Sequence, residues 1–171
     1  GGSGGGSVGE AWVVGAALKN HMELVVQKVT ELGAAKFVPV TTMRTEARRV
    51  KTERLRAIAI EAAEQCERLT VPEVKEPEDL KRVLAEWPEG RHLVLCDETG
   101  GEPLVSALQE LPPGAPCAFV VGPEGGFDPS ELEAMRSMPT CVRVSLGDNI
   151  LRAETAAISA MAVHHMLRSA S

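Results

Sequence analysis

Short apolar runs alternate along this chain with stretches in which apolar residues recur every three to four positions. The runs predict buried strands at residues 12–18, 36–40, 92–98, 118–121 and 141–146, with a short extended piece at 71–74. The periodic stretches predict helices near residues 20–33, 56–69, 78–87, 103–111, 128–139 and 152–168. Strands and helices therefore alternate, which is typical of an α/β domain whose mainly parallel sheet is covered by helices on both faces.

The sharpest boundary follows the strand at residues 118–121. Residues 122–126 hold three glycines and a proline, and a helix start comes next. Asp128 suits the N-cap, Pro129 the first helical position and Glu131 the capping-box position. Open α/β folds present ligands at such strand–turn–helix junctions, and glycine lets a ligand approach the backbone. The turn is therefore either the edge of a pocket or a tight connection without a ligand.

Two more strand ends carry similar features: Leu95 and Cys96 close one strand, and residues 147–149 form a second glycine-containing turn. Three neighbouring strand ends on one crevice would make a pocket suited to an adenosine-like ligand. The sequence has no G-x-G-x-x-G after its first strand, no G-x-x-x-x-G-K-[ST], no H-E-x-x-H and no G-x-S-x-G. The absence of these motifs argues against a dinucleotide-binding or nucleoside-triphosphate-binding site and against a zinc protease or a serine hydrolase.

The helix predicted through Leu69 has two faces. Its apolar stripe consists of Leu55, Ile58, Ala59, Ala62, Cys66 and Leu69. Its polar face carries Glu61, Glu64, Gln65 and Arg68. Spacing alone leaves three interpretations of the polar face: a surface salt bridge, the wall of a cleft or a subunit contact.

Six of the 18 basic residues lie close together before and within the start of that helix. They are Arg44, Arg48, Arg49, Lys51, Arg54 and Arg56. This window is either a phosphate-contacting patch or a solvated loop and helix start. The formal net charge of −6 argues against an unaided nucleic-acid binder, and an aromatic content of 3% argues against a base-stacking surface.

The length of 171 residues suits one domain with a real core. The Gly/Ser-rich residues 1–10 resemble a flexible linker or a cloning remnant, and the domain is expected at 11–171. No apolar run reaches the roughly 20 residues of a membrane span, and no secretory segment opens the chain. The four cysteines show no metal-ligand spacing with one another or with histidines, which predicts buried free thiols in a reducing cytoplasm and no metal site.

Three motifs together resemble the RsmE family, the 16S rRNA (uridine N3) methyltransferases of the SPOUT superfamily. They are EAAEQCER at residues 61–68, VGPEGGF at 121–127 and LGDNILRAETA at 146–156. Residues 27–33 are similar to the opening helix of that family. The resemblance covers residues 12–167, and its last two motifs are specific in combination.

The resemblance implies a C-terminal trefoil knot, which general topology rules make very rare. It also implies S-adenosyl-L-methionine as cofactor, a homodimer with sites near the subunit interface, and 16S rRNA in the small ribosomal subunit as partner. Carried over position by position, the cofactor pocket would use Leu95, Cys96, Val121, Gly122, Pro123, Glu124, Gly125, Gly126, Leu146, Gly147, Ile150, Leu151 and Thr155.

The resemblance also suggests roles for individual side chains. Arg152 is the candidate for stabilising the uridine anion or a neighbouring phosphate. Glu124 or Glu154 is the candidate for accepting the N3 proton, although either carboxylate could serve as a helix cap instead. The RNA-binding candidates are Arg44, Arg48, Arg49, Gln65 and Arg68.

The sequence departs from the family pattern at three places. Glu67 stands where the family commonly has glycine, and Asp148–Asn149 replaces a pair that usually includes arginine. A PUA-like RNA-binding barrel precedes this domain in the family, and the Gly/Ser segment stands in its place, which predicts poor methylation of rRNA. Two other hypotheses remain: a non-catalytic knotted dimeric scaffold, and a flavodoxin-like nucleotide-binding enzyme.

Overall fold

A computed structural model of the chain describes residues 10–16, 21–45, 50–148 and 151–170. Within these ranges, eight strands form one sheet: β1 (Ala11–Ala16), β2 (Lys36–Thr41), β3 (Glu73–Val74), β4 (Glu78–Asp79), β5 (His92–Cys96), β6 (Glu102–Pro103), β7 (Cys117–Val121) and β8 (Cys141–Ser145). The helices of the described residues connect or flank these strands: α1 (Met22–Glu31), α2 (Thr52–Gln65), α3 (Leu80–Ala85), α4 (Leu104–Glu110), α5 (Pro129–Arg136) and α6 (Ala153–Ala170).

The sheet order is β3-β2-β1-β7-β5-β8-β6, and β4 also pairs with β2. All of these strand pairs are parallel. The carboxyl ends of β7, β5 and β8 therefore lie side by side at one edge. The prediction of a mainly parallel α/β sheet is confirmed.

Alternate residues of the central strands pack into two hydrophobic cores, one on each face of the sheet. Val13 and Phe119 pack with α1, α2, α4 and α6 on one face, whereas Val14 and Val120 pack with α3 and α5 on the other. Because successive strand residues point to opposite faces, the apolar runs read from the sequence are what a doubly covered sheet requires. Helices lie on both faces, as predicted.

The end of α2 differs from the sequence prediction. The helix ends at Gln65 and does not continue through Leu69, which is fully exposed. The N–H of Arg68 donates to the carbonyl of Ala63 (2.8 Å), and Glu67 takes a φ of 59°. These features define a Schellman motif, which ends the helix and turns the chain away from the helix axis. Leu69 is therefore not part of the apolar stripe.

A proline usually marks an edge strand or a strand end, yet β2 continues past Pro39 with β1 on one side and β3 and β4 on the other. Strand β3 pairs with the start of β2, and β4 pairs with its end. Pro39 lies between these two pairings, where a missing N–H removes no hydrogen bond of the sheet on that side. The four cysteines are free as predicted, but only Cys117 is buried as expected. Cys66 is exposed at the end of α2, and Cys96 and Cys141 are half-buried. Asn20, where the sequence predicts the first helix to begin, lies outside the described residues.

Candidate functional site

The three adjacent strand ends enclose a cavity of about 660 Å³. Residues 96–99 line it after β5, residues 121–127 after β7 and residues 144–148 after β8. Residues 151–153 and Ala156, before and at the start of α6, complete the wall. Gly125 and Gly147 thus line the same cavity, which confirms the prediction that the two glycine-containing turns converge.

The first glycine turn has its shape because Phe127 folds back beneath it. Phe127 is buried, and a Cβ on Gly122 would lie 2.8 Å from its ring. Gly126 has a φ of 79°, and its N–H donates to the carbonyl of Pro123 at 2.8 Å. Both positions therefore require glycine for steric or backbone reasons.

Helix α5 fixes the far side of the turn through the predicted capping box. The Asp128 carboxylate accepts from the N–H of Ser130 at 2.9 Å, and Oε1 of Glu131 accepts from the N–H of Asp128 at 3.0 Å. Glu131 is buried, and its Oε2 also accepts from the N–H of Met43 at 3.0 Å. One carboxylate therefore joins the start of α5 to the loop after β2.

That loop brings Arg44 to the cavity. Its Nη1 donates to the carbonyl of Gly125 at 2.9 Å, and the residue lines the cavity while remaining exposed. A cation at the mouth of the cavity is thereby held on the glycine turn. Arg48 and Arg49, the next two predicted RNA contacts, lie outside the described residues.

A buried carboxylate behind the cavity was not singled out from the sequence. Asp97, directly after β5, lines the cavity and accepts hydrogen bonds from Arg136 Nη2 (2.7 Å), Arg143 Nε (3.0 Å) and the Thr99 hydroxyl (2.6 Å). Burial acts to raise the pKa of Asp97, but the bonds from Thr99, Arg136 and Arg143 outweigh it and lower the pKa to about 2. The available signal was a strand that ends in two acids.

Most of the predicted cofactor-binding residues line the cavity. These are Cys96, Val121, Gly122, Pro123, Glu124, Gly125, Gly126, Leu146, Gly147 and Leu151. Leu95 does not line it, because it is fully buried in the core on the α3 and α5 face. Thr155 is exposed on α6 and is not part of the wall, and Ile150 lies outside the described residues.

The three catalytic candidates occupy different environments. Glu124 and Arg152 are exposed and line the cavity. Glu154 is buried in the first turn of α6, outside the cavity wall, with Oε1 4.0 Å from Nε2 of His21. Its Oε2 has no hydrogen-bond partner within the described part of the chain.

The remaining RNA-binding candidates lie away from the cavity wall. Gln65 is exposed at the end of α2 and donates to Glu61 at 3.5 Å. Arg68 donates through Nη1 to the carbonyls of Thr30 (2.8 Å) and Ala34 (3.2 Å), at the end of α1. Its guanidinium therefore holds the α1 terminus against the end of α2.

The cavity offers positioning groups and no activated thiol. Burial raises the pKa of Cys96, which lines the cavity, to about 12, so this thiol stays protonated near neutral pH. The described residues contain no group of three or more side chains arranged to hold a metal ion. Their helices include none with the length and apolar character needed to cross a membrane. The wall combines backbone groups, apolar side chains and charged rim residues, as ligand pockets do.

Comparison with known proteins gives consistent matches over most of the chain. Residues 9–165 match the model of an RNA methyltransferase domain family. The chain is 35% identical to a ribosomal RNA small subunit methyltransferase E from Rickettsia conorii over 153 residues, 88% of this chain and 62% of that protein. It is 34% identical to the Bacillus subtilis protein of the same name over 153 residues, 83% of this chain and 59% of that protein.

Among solved structures, the chain resembles a ribosomal RNA small subunit methyltransferase E from Neisseria gonorrhoeae bound to S-adenosyl methionine. The TM-score is 0.78 at 28% identity, over 92% of this chain and 66% of that one. The chain thus spans about three fifths of the length of the curated relatives that it matches.

Proposed function

The chain belongs to the RsmE family of RNA methyltransferase domains, and from that premise we propose that it is an S-adenosylmethionine-dependent methyltransferase domain. We propose that the atom it methylates is N3 of a uridine in 16S rRNA. The observation that carries the proposal is the shared cavity of the two glycine turns at the carboxyl ends of β7, β5 and β8. The relatives named as small-subunit rRNA methyltransferases support the substrate class.

The cavity's lining fits the proposed cofactor. Val121, Leu146 and Leu151 provide an apolar wall suited to an adenine ring. Glu98 and Glu124 add carboxylates, which suit a ligand bearing sulfonium and ammonium charges. When bound, S-adenosylmethionine would supply an electrophilic methyl group, so the protein must mainly orient the acceptor.

The proposed reaction requires loss of the uridine N3 proton, after which negative charge spreads onto the two carbonyl oxygens. We assign Arg152 to stabilise that charge, because its exposed side chain belongs to the cavity wall. We assign the proton to Glu124 rather than Glu154, because Glu124 lines the cavity and Glu154 is buried outside its wall. The groups would then lie on opposite turns that face one ligand.

The assembly also belongs to this proposal. We propose that residues 11–171 form one SPOUT domain with a C-terminal trefoil knot, and that it acts as a cytoplasmic homodimer. Leu24 (44%) on α1 and Met166 (66%) on α6 are exposed apolar side chains that a second copy would cover. Sedimentation at micromolar concentration tests this: a monomer at all concentrations contradicts the dimer.

Calorimetric titration with S-adenosylmethionine tests the pocket. We expect saturable heat for the chain and for Arg152→Gln, because Arg152 is assigned to the acceptor. Methyl transfer to small-subunit rRNA, with the product identified by mass spectrometry, should fall roughly 100-fold in Arg152→Gln. Arg82→Gln, on exposed α3 surface, is the matched control and should leave both measurements unchanged.

The outcomes separate the hypotheses. No heat at high protein concentration argues against the pocket and favours the non-catalytic scaffold. Binding with methylation at an atom other than uridine N3 retains the family chemistry and overturns the specificity.

A further inference from the structure

Two arginines from different elements converge on one buried carboxylate beside the cavity. Arg136, in the last turn of α5, and Arg143, on β8, both reach Oδ2 of Asp97. The Asp97 side chain is 2% exposed, whereas those of Arg136 and Arg143 are 33% and 43% exposed. The carboxylate is therefore inside the protein, and the cations reach the surface.

Much of the hydrogen-bonding capacity of these guanidiniums is unused. Arg136 donates through Nη2 alone, to Asp97 and, at 3.1 Å, to the hydroxyl of Thr99. Arg143 donates through Nε to Asp97, and its Nη2 makes only long contacts with Thr99 (3.5 Å) and the Gly100 carbonyl (3.4 Å). Within the described residues, Nε and Nη1 of Arg136 and Nη1 of Arg143 have no acceptor.

The charges at this cluster do not balance. Asp97 contributes one negative charge against the positive charges of Arg136 and Arg143, so the cluster carries a net charge of about +1. A shared carboxylate fixes both planar groups, which lowers the entropy lost when they bind a ligand. Fixed guanidiniums with free donors match the geometry of phosphate oxygens.

We propose that Arg136 and Arg143 form a phosphate-binding site that holds the backbone of the RNA substrate beside the cavity. The proposal rests on the proposed function for the identity of the ligand. Asp97 is the positioning residue of this site. Because Asp97 and Thr99 also line the cavity, a phosphate on the arginines would lie next to the reacting nucleotide.

The experiment measures binding of a fluorescent single-stranded fragment of small-subunit rRNA over a series of KCl concentrations. Each phosphate contact with single-stranded RNA contributes about −0.7 to the slope of log K against log salt. We expect Arg136→Gln with Arg143→Gln to weaken binding roughly tenfold at low salt and to reduce the slope by about 0.7 per lost phosphate. Titration with S-adenosylmethionine should give the wild-type affinity.

Matched variants make the result decisive. Lys75→Gln with Arg82→Gln removes two exposed cations that do not line the cavity, and should change the slope less. The double arginine variant leaves the Asp97 carboxylate buried without its cations, which destabilises the folded protein. A third variant therefore combines both arginine substitutions with Asp97→Asn, and it should also bind RNA weakly.

Each remaining outcome has one meaning. If the wild type binds RNA and the arginine variants match it in affinity and slope, the phosphate site is overturned while the proposed function stands. If the wild type takes up the cofactor but no RNA even at low salt, the phosphate site is overturned, and the RNA substrate is then decided by the methylation assay.

Discussion

The strands of the parallel sheet begin at one side, its amino edge, and end at the other, its carboxyl edge. Arginines lie at both, but their environments differ. At the amino edge, Arg91 is 8% exposed, donates to the carbonyls of Glu10 (3.1 Å) and Cys117 (2.8 Å), and stacks 3.9 Å over the ring of Trp12. Lys36 lies 4.0 Å from the centre of the same ring. This edge is closed in the sense that Arg91 and Lys36 both contact groups of the fold, and the Nε of Arg91, which has no hydrogen-bond partner among the described residues, is buried.

At the carboxyl edge, the cations remain partly available. Arg136 and Arg143 share one buried carboxylate and, among the described residues, keep unused donors, and Arg44 donates to the carbonyl of Gly125 at the cavity mouth. A cation enclosed by the fold can contribute to stability alone, whereas a half-exposed and fixed one can also bind a ligand. Substitutions at the two edges should therefore separate stability from binding.

The largest effect on stability is expected from Arg91→Ala. The change removes two hydrogen bonds to carbonyls and the contact with Trp12, and it leaves a buried space. The free energy of unfolding should fall by about 2–4 kcal/mol in urea titrations, with cofactor affinity unchanged. Arg82→Ala, at an exposed arginine, is the control and should change it by less than about 0.5 kcal/mol. An equal loss in both variants would contradict the closed amino edge.

The next effect belongs to the glycine turn. Gly122→Ala places a Cβ 2.8 Å from the Phe127 ring, so the turn or the ring must move. We expect a loss of about 1–3 kcal/mol in stability and weaker cofactor binding by calorimetry. Gly125→Ala is the matched control for stability, because a Cβ there meets no protein atom within 4 Å. If the two variants lose the same stability, the packing of Phe127 does not determine the shape of the turn.

The next effect, expected from Asp97→Asn, is a loss of stability that should disappear in acid. The pKa of Asp97 is about 2 in the folded protein, below the value of about 3.9 typical of an unfolded aspartate. Its charge therefore contributes stability that is fully present above about pH 4 and is lost as the pH falls towards 2. The gap between the melting temperatures of wild type and variant should narrow over that window. A gap that stays constant from pH 6 to pH 2 would contradict the assigned hydrogen bonds.

Local chemistry explains which parts of the structure the sequence predicted. The start of α5 was predictable because Asp128, Pro129 and Glu131 act on backbone groups within one turn. The two-faced cores were predictable because apolar runs suit a covered sheet. The shared cavity followed once neighbouring strand ends were assumed to meet.

Contacts between distant segments were not predictable in the same way. Asp97 meets Arg143 because β5 pairs with β8, with Leu95 opposite Arg143, and the strand order is not encoded in any short pattern. Arg68 appeared to share a helical face with Gln65, but the chain turns before it and its guanidinium reaches the end of α1. A helical periodicity cannot show where a left-handed residue ends the helix.

That left-handed residue gives the smallest and most specific prediction. Glu67 has a φ of 59°, a conformation that costs a residue with a Cβ about 1–2 kcal/mol and costs glycine almost nothing. Glu67→Gly should raise the free energy of unfolding by about 0.5–1 kcal/mol, since the greater freedom of glycine in the unfolded chain offsets part of the relief. Glu64→Gly, one turn earlier in α2, is the control and should lower it by about 1 kcal/mol. Urea unfolding measures the free energy of unfolding of both variants. A loss of stability in Glu67→Gly would mean that contacts of the Glu67 side chain contribute more than the cost of its left-handed backbone conformation.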